Sequence, residues 1–297
     1  MSASAPALSL PQAFFLPAVP GTRAGGTRFC LFHAPAAGAA RGGVLYLHPF
    51  AEELNNTRRL VARQARAMAA AGFAVLQIDL FGCGDSSGSF EDGRWDDWLD
   101  DARLGWQWLA THAGGPMWLW GLRTGALLAA ALAAEHRPSA DGAEVGLLLW
   151  QPVPNGQQAL QQFLRLHAAS QWLGAGSAAT ESPAKRLEQG EAVDIAGYTL
   201  TPDLARGLQQ ARLEPPQTPG TRRLIWLETS TQAEPTLSPA AERQIGAWHT
   251  AGWAVEARAV AAPAFWQQIG TEEAPDLLAA TLAGLTARTI PPPGDKT

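Results

Sequence analysis

The chain has 297 residues, of which 46% are hydrophobic and 16% charged, and Lys+Arg 22 against Asp+Glu 27 leaves a net charge of −5. That much apolar surface supports a sizeable core and excludes global disorder. An acidic balance with only two lysines, Lys185 and Lys296, and no basic stripe excludes a general nucleic-acid binder.

The N-terminal segment MSASAPALSLPQAFFLPAVPG has neither a positive n-region nor a long apolar h-region, so no secretory leader is expected. Two short apolar runs, 13–18 and 28–36, read as strands around the turn PGTRAGG. An alternation then begins. Val44-Leu45-Tyr46-Leu47 is a compact buried strand ending in His48-Pro49-Phe50. Residues 57–71 place Leu60, Val61, Ala65, Met68 and Ala69 on one helical face, with Gly72 as the stop. The next strand, 74–78, runs into Asp79-Leu80-Phe81-Gly82-Cys83-Gly84-Asp85-Ser86-Ser87-Gly88.

Trp95, Trp98, Leu99, Ala102, Trp106 and Leu109 recur at helical spacing. A strand at 117–120, a tight turn at 121–125, a helix at 126–135 and a strand at 145–150 follow. The alanine/leucine run from Ala126 to Ala134 is about half the length of a bilayer span, so membrane insertion is not expected. Between about Pro152 and Pro219 the rhythm breaks. That stretch has helical patches at 159–173 and 202–212, a Gly/Ala/Ser-rich loop near 174–180 and no convincing buried strand. Strand 224–227, a helix with Ser238 as N-cap and Pro239 in its first turn, strand 254–260 and helix 275–286 resume the pattern. Residues 289–297 form a frayed tail. Strand–helix alternation of this kind means a mostly parallel sheet covered on both faces.

Three pieces line up in order: His48-Pro49-Phe50, the glycine-rich loop after Asp79, and Gly121-Leu122-Arg123-Thr124-Gly125 before an alanine-rich helix. The set resembles the α/β-hydrolase superfamily, with its His-Gly-aromatic oxyanion loop, its D-x-x-G-x-G-x-S loop and its G-x-S-x-G nucleophile elbow. The segments LHPFAEELNNTRR, QIDLFGCGDSSG, WLWGLRTG, QFLRL and PAFWQ are further similar to the family called exosortase A system-associated hydrolase 2. The resemblance implies one α/β-hydrolase domain with its core at 13–156 and 219–288 and a helical lid at 157–218. It also implies a hydrolase associated with exopolysaccharide and protein-sorting loci.

The residues do not supply that chemistry in its usual form. The nucleophile position holds Arg123, a guanidinium without a usable lone pair at neutral pH. Thr124 has a hydroxyl, but one residue along a tight turn points elsewhere. The loop after the last strand, Ala261 to Gln267, has no histidine, and none follows His249. The acids Glu228 and Glu234 after the preceding strand have no imidazole to orient.

What remains is an anion-receiving half: backbone N–H groups of Phe50 and Thr124, and the N-terminus of the helix at Gly125. Arg123 there demands an anionic partner, either Glu52, Glu53 or a bound carboxylate or phosphate. Phe265 and Trp266 are expected to line the cleft with Phe50 and Arg123. His48 is read as a structural histidine or, alternatively, a site residue; Asp79 as a tie for backbone amides; Ser86 and Ser87 as caps of the following turn. Asn55-Asn56-Thr57 is read as helix capping. Cys30 and Cys83 make neither a disulfide framework nor a metal cluster, which fits a reducing cytoplasm. No cofactor or metal is expected.

Two functional classes stay open. One is a hydrolase or acyl-transfer relative with Glu52 or Glu53 as base and Arg123 holding an oxyanion. The other is a catalytically silent fold member that binds a small anion, a glycan intermediate or a partner protein.

Overall fold

A strand such as Val44–Leu47 has no polar side, so both of its faces must be covered by other elements. The computed structural model describes residues 10–36, 38–136, 145–173 (backbone alone over 166–173), 181–216, 222–268 and 273–287. The expected loop at 174–180 and the tail at 289–297 lie outside them.

In chain order the elements are β1 (Gln12–Pro17), β2 (Thr27–His33), β3 (Gly43–Leu47), α1 (Glu52–Ala70), β4 (Ala74–Ile78), α2 (Trp95–Ala110), β5 (Met117–Leu122), α3 (Gly125–Glu135) and β6 (Val145–Trp150). Then come α4 (Gly156–Leu173), α5 (Pro183–Glu188), β7 (Val193–Ile195), β8 (Tyr198–Leu200), α6 (Pro202–Gln210), β9 (Arg222–Ser230), α7 (Pro239–Thr250), β10 (Trp253–Ala261) and α8 (Pro275–Thr286).

Eight strands form one sheet in the order β1-β2-β4-β3-β5-β6-β9-β10. From β4 to β10 all neighbours are parallel, while β1-β2 and β2-β4 pair antiparallel. This is the α/β-hydrolase fold. The period-two alternation divides the core into two layers. Leu45, Leu47, Leu76, Ile78, Leu119, Leu147 and Leu149 pack with Trp98, Trp106, Leu127 and Trp248 of α2, α3 and α7. Val44, Tyr46, Val75, Trp118, Trp120, Leu148 and Trp150 pack with Leu60, Met68 and Leu277 of α1 and α8. Among the described residues no helix is long and apolar enough to cross a membrane.

Three local expectations are corrected. Helix α1 begins at Glu52, not Thr57, because Ala51 turns the chain with φ 51° directly after the oxyanion-type loop. Asn55, Asn56 and Thr57 therefore lie inside the helix and cap nothing. The stretch between β6 and β9 contains a two-stranded hairpin, β7–β8, turned by Ala196 (φ 50°) and Gly197 (φ 85°). Three-residue strands with one buried side chain in two are too short for a period to register. Ser86 and Ser87 do not cap a following turn: their hydroxyls accept from the backbone N–H of Phe29 and Thr27 on β2, both at 2.9 Å.

On the antiparallel side, His33 is buried beside Gln77 of β4, with 2.8 Å between His33 Nε2 and Gln77 Nε2. Burial, helped by the Arg66 charge, lowers its pKa to about 4. A depressed pKa means the neutral ring contributes stability that is present above pH 6.5 and lost as pH falls towards 4. Urea unfolding of His33→Gln between pH 7 and pH 4 is expected to show a shallower acid slope than wild type; parallel slopes would remove His33 from the acid response.

Candidate functional site

The crossover helices leave the carboxyl ends of β3, β5 and β6 open, the usual place for a site in a parallel sheet. The turn after β5 is crowded. A Cβ on Gly121 would lie 2.5 Å from the Ala126 backbone, and one on Gly125 would lie 2.1 Å from Leu47 O. Only glycine fits at either end, so the residue between them is thrown into the left-handed region: Arg123 has φ 55°. Its N–H donates to Trp150 O (3.0 Å) and its carbonyl accepts from Ala126 N (3.1 Å). The turn is tight and places Arg123 at its apex. Ala51 and Gln151, at the ends of β3 and β6, also have positive φ. Backbone strain in non-glycine residues thus gathers around one place, as it does at ligand sites.

From the elbow the Arg123 side chain reaches three elements. Nε and Nη2 both donate to Glu53 Oε1 of α1, each at 3.2 Å, and Nη2 also donates to Gln162 Oε1 of α4 at 2.8 Å. The guanidinium carbon lies 5.1 Å from the centre of the Trp266 ring, in the loop after β10. Arg123 keeps 11% of its side-chain surface and Glu53 26%, so the pair is largely but not wholly buried. Burial pushes the Glu53 carboxyl up from its ordinary value, and Arg123 pulls it back only in part.

Glu52, one residue away on the helix, turns to the hairpin instead. Its Oε2 accepts from Tyr198 Oη (3.1 Å) and from Asn55 Nδ2 (3.2 Å).

Beside the pair is a cavity of about 680 Å³ bordered by Phe50, Glu52, Glu53, Asn56, Arg123, Thr124, Ala159, Gln162, Phe163, Arg165, Ala196, Trp266 and Gln267. The backbone N–H groups of Phe50 and Thr124 donate to no acceptor among the described residues. Phe50, Arg123, Thr124, Trp266 and both glutamates therefore meet at one cavity.

Two expected site residues do not join them. Phe265 is turned into the core against Trp150 (ring centres 6.1 Å apart), because its neighbour Trp266 takes the cavity side. His48 is buried with both ring nitrogens engaged: Nδ1 lies 2.8 Å from Pro49 O, and Nε2 accepts from Leu80 N at 3.3 Å. Burial lowers its pKa, so the ring is neutral, and it does not border the cavity.

Other acids are likewise occupied. Asp79 Oδ2 accepts from Asp85 N and Arg58 Nη2, both at 3.1 Å. Glu228 accepts from Ser238 N (2.8 Å) and Ser238 Oγ (3.0 Å) at the start of α7. Cys83 is buried and its thiol is pushed strongly up, away from the thiolate form a nucleophile needs. Among the described residues there is no group of three or more His, Cys, Asp or Glu side chains able to hold a metal ion.

Sequence reasoning missed Gln162, Phe163, Asn56 and Tyr198. Ala159, Gln162 and Phe163 share one helical face by their i, i+3, i+4 spacing, a signal present in QQALQQFLR. Asn56 holds the Trp266 carbonyl at 2.9 Å across 210 positions, which no local pattern shows.

The profile of the family Hydrolase_4, described as Serine aminopeptidase, S33, matches residues 38–189. No curated protein matches the chain. Among solved structures, an Agrobacterium vitis S4 protein described as a hydrolase is 17% identical with a TM-score of 0.56, over 93% of this chain and 98% of that one. Est1E from Butyrivibrio proteoclasticus, solved with ferulic acid bound, is 16% identical with a TM-score of 0.55, over 84% and 90%. XC6422 from Xanthomonas campestris, described as an α/β serine hydrolase without lid, is 16% identical with a TM-score of 0.52, over 93% and 94%. At these identities the likeness carries the fold and nothing finer.

Removing the cation tests the pair. Arg123→Met strands a largely buried carboxylate and is expected to cost about 1–3 kcal/mol at neutral pH. Without Arg123 the Glu53 pKa rises further. A raised folded-state pKa means stability is retained at low pH and lost as pH climbs through that pKa. The deficit relative to wild type should therefore be larger at pH 8 than at pH 5 in urea melts, and a variant as stable as wild type at both would refute the pairing.

Proposed function

The chain belongs to the Hydrolase_4 family, serine aminopeptidase S33, within the α/β hydrolases, and on that premise we propose that it is a ligand-binding member that does not hydrolyse by a Ser-His-acid triad. One observation carries this reading: the strained elbow presents the guanidinium of Arg123, already hydrogen-bonded to Glu53 and Gln162, where a nucleophile would stand. Trp266, in the loop that would hold the base, stacks on that same guanidinium. The position of the nucleophile is filled by a cation that cannot attack, and that of the base by a ring that cannot take a proton.

The cavity volume suits a small molecule, within the roughly 300–1,000 Å³ common for such sites. On this reading the segment 157–218 is a lid: α4 supplies Gln162 and Phe163 to the cavity, and the β7–β8 hairpin is latched to α1 through Tyr198 and Glu52. The likeness of LHPFAEELNNTRR, WLWGLRTG and PAFWQ to exosortase A system-associated hydrolase 2 supports a role beside exopolysaccharide and protein-sorting systems, with a glycan intermediate or small anion as ligand. Free, buried Cys30 and Cys83 support a cytoplasmic location.

A second reading keeps chemistry in the site. Glu53 borders the cavity with its carboxyl pushed up by burial, as a general base would be. The two readings separate by turnover. With p-nitrophenyl acetate, p-nitrophenyl butyrate and an amino-acid p-nitroanilide, the wild-type chain is expected to release no nitrophenol or nitroaniline above the buffer blank. Arg123→Ser is expected to stay equally silent, with no acyl burst, since no imidazole is placed to activate the new hydroxyl. Turnover by wild type that disappears in Glu53→Gln would instead establish the second reading.

A further inference from the structure

Arginine carries five N–H donors. In Arg123, Nε–H and one Nη2–H converge on a single oxygen of Glu53, and the other Nη2–H goes to Gln162. The two Nη1 donors and Glu53 Oε2 have no hydrogen-bond partner among the described residues. An unconstrained guanidinium–carboxylate pair makes two parallel bonds to two oxygens at roughly 2.7–2.9 Å. Here both bonds are 3.2 Å long and share one oxygen. Glu53 thus occupies the anion's place on Arg123 without saturating it. Alongside are the aromatic walls Phe50, Phe163 and Trp266, with Thr124 beside them.

We propose that the cavity takes a small monocarboxylate with an apolar body, whose head group replaces Glu53 on Arg123 while its body lies against Phe50, Phe163 and Trp266. The inference rests on the ligand-binding reading above and narrows it to one chemistry. Charge selects a monoanion. The ionisable side chains around the cavity are Arg123, Arg165 of α4, and Glu52 and Glu53 of α1, two of each sign. A monoanion that enters as Glu53 takes a proton keeps that balance, whereas a dianion breaks it. The planar fork of Arg123 fits a carboxylate in two-oxygen contact, the geometry Glu53 does not reach.

The proton balance is explicit. Binding moves the Arg123 hydrogen bonds from Glu53 to the ligand, and one proton from solvent settles on Glu53. Arg123 is the charge that lowers the Glu53 carboxyl. Tyr46 of β3, whose hydroxyl feels the Glu53 charge, is buried and stays protonated, and Arg58 of α1 is paired with Asp79. Losing Arg123 to the ligand therefore leaves burial dominant and favours the neutral acid. Glu53 acts as an internal competitor that lowers apparent affinity until protonated.

Calorimetric titration of the full chain with 4-phenylbutyrate and its neutral isostere 4-phenylbutyramide tests this at pH 6 and pH 8. Wild type is expected to bind the carboxylate about tenfold tighter than the amide at pH 6 and to lose several-fold of that affinity at pH 8. Binding should take up protons, seen as a dependence of the heat on buffer ionisation. Glu53→Gln should bind the carboxylate about tenfold tighter than wild type at pH 8, with little pH dependence. Equal binding of acid and amide by wild type would overturn the carboxylate assignment while sparing the cavity as a ligand site. No gain in Glu53→Gln, together with a flat wild-type pH profile, would overturn displacement. Binding of neither compound at millimolar concentration would overturn the proposal and the ligand-binding reading together.

Discussion

The contact between Arg123 and Glu53 joins parts of the chain far apart in sequence. Glu53 stands in the first turn of α1, Arg123 on the turn after β5, Gln162 on α4 and Trp266 after β10, and all four touch one guanidinium or its pair. The cavity exists between these elements, so its shape follows from where the guanidinium is held. Two glycines set that position, since any Cβ at Gly121 or Gly125 collides with backbone. Asn56, three residues beyond Glu53 on the helix, fixes the Trp266 carbonyl from the same side. Without the cation, α1 would face the elbow with an uncompensated carboxylate, and α4 would lose its polar tie to the strand ends.

Around this centre the other polar side chains hold backbone and neighbouring side chains. Asp79 closes the glycine-rich loop, Glu228 caps α7 through Ser238, and His48 bridges the oxyanion-type loop to Leu80. Deeper in, Asp101 is held by Arg28 Nε at 2.5 Å and by Phe81 N at 2.7 Å, which ties β2 and the Asp79 loop to α2. Burial raises that carboxyl to about 6 even with Arg28 beside it. A buried acid is tolerated only where donors replace its lost water. Asp101 and Glu228 meet that condition with both oxygens, and Asp79 through its Oδ2. Glu53 differs in place: it borders the cavity, with one oxygen free of any partner among the described residues.

The sheet was legible because its signal is local. Val44–Leu47, Ala74–Ile78 and Val145–Trp150 are apolar on both faces, and only a strand covered twice can use such a run. The tryptophans of α2 announced a helix by spacing alone. Arg123 at the elbow, and its need for a nearby acid, followed from motif position and the cost of a buried cation. What local pattern could not decide was orientation. Glu52 and Glu53 differ by about 100° around α1, and the helix phase depends on where it starts. That start follows the positive φ of Ala51 just before the helix. The same ambiguity left Phe265 expected at the cleft beside Trp266, although only Trp266 borders it: adjacent side chains in a loop have no period to tell which one faces the core. The latch between Tyr198 and Glu52 spans 146 positions and rests on a hairpin of three-residue strands, beneath the reach of any periodicity.

The energetics of Arg123 bear on why a cation stands there at all. A non-glycine residue in the left-handed region costs about 1–2 kcal/mol, and taking guanidinium and carboxylate largely out of water costs several kcal/mol more. Against this stand two long hydrogen bonds to one oxygen, a normal one to Gln162, and a cation–π contact worth about 1–2 kcal/mol. An apolar residue at the elbow with a neutral partner on α1 would fold as well or better, by the same reasoning that lets buried ion pairs be replaced by hydrophobic side chains without loss. Stability therefore does not account for the residue. Position does: strain points the side chain into the cavity, the glycines hold the strain, and the two Nη1 donors remain unclaimed by any described residue. On the proposed ligand-binding reading, a guanidinium with unclaimed donors beside an aromatic cavity is a recognition group held in place before the ligand arrives.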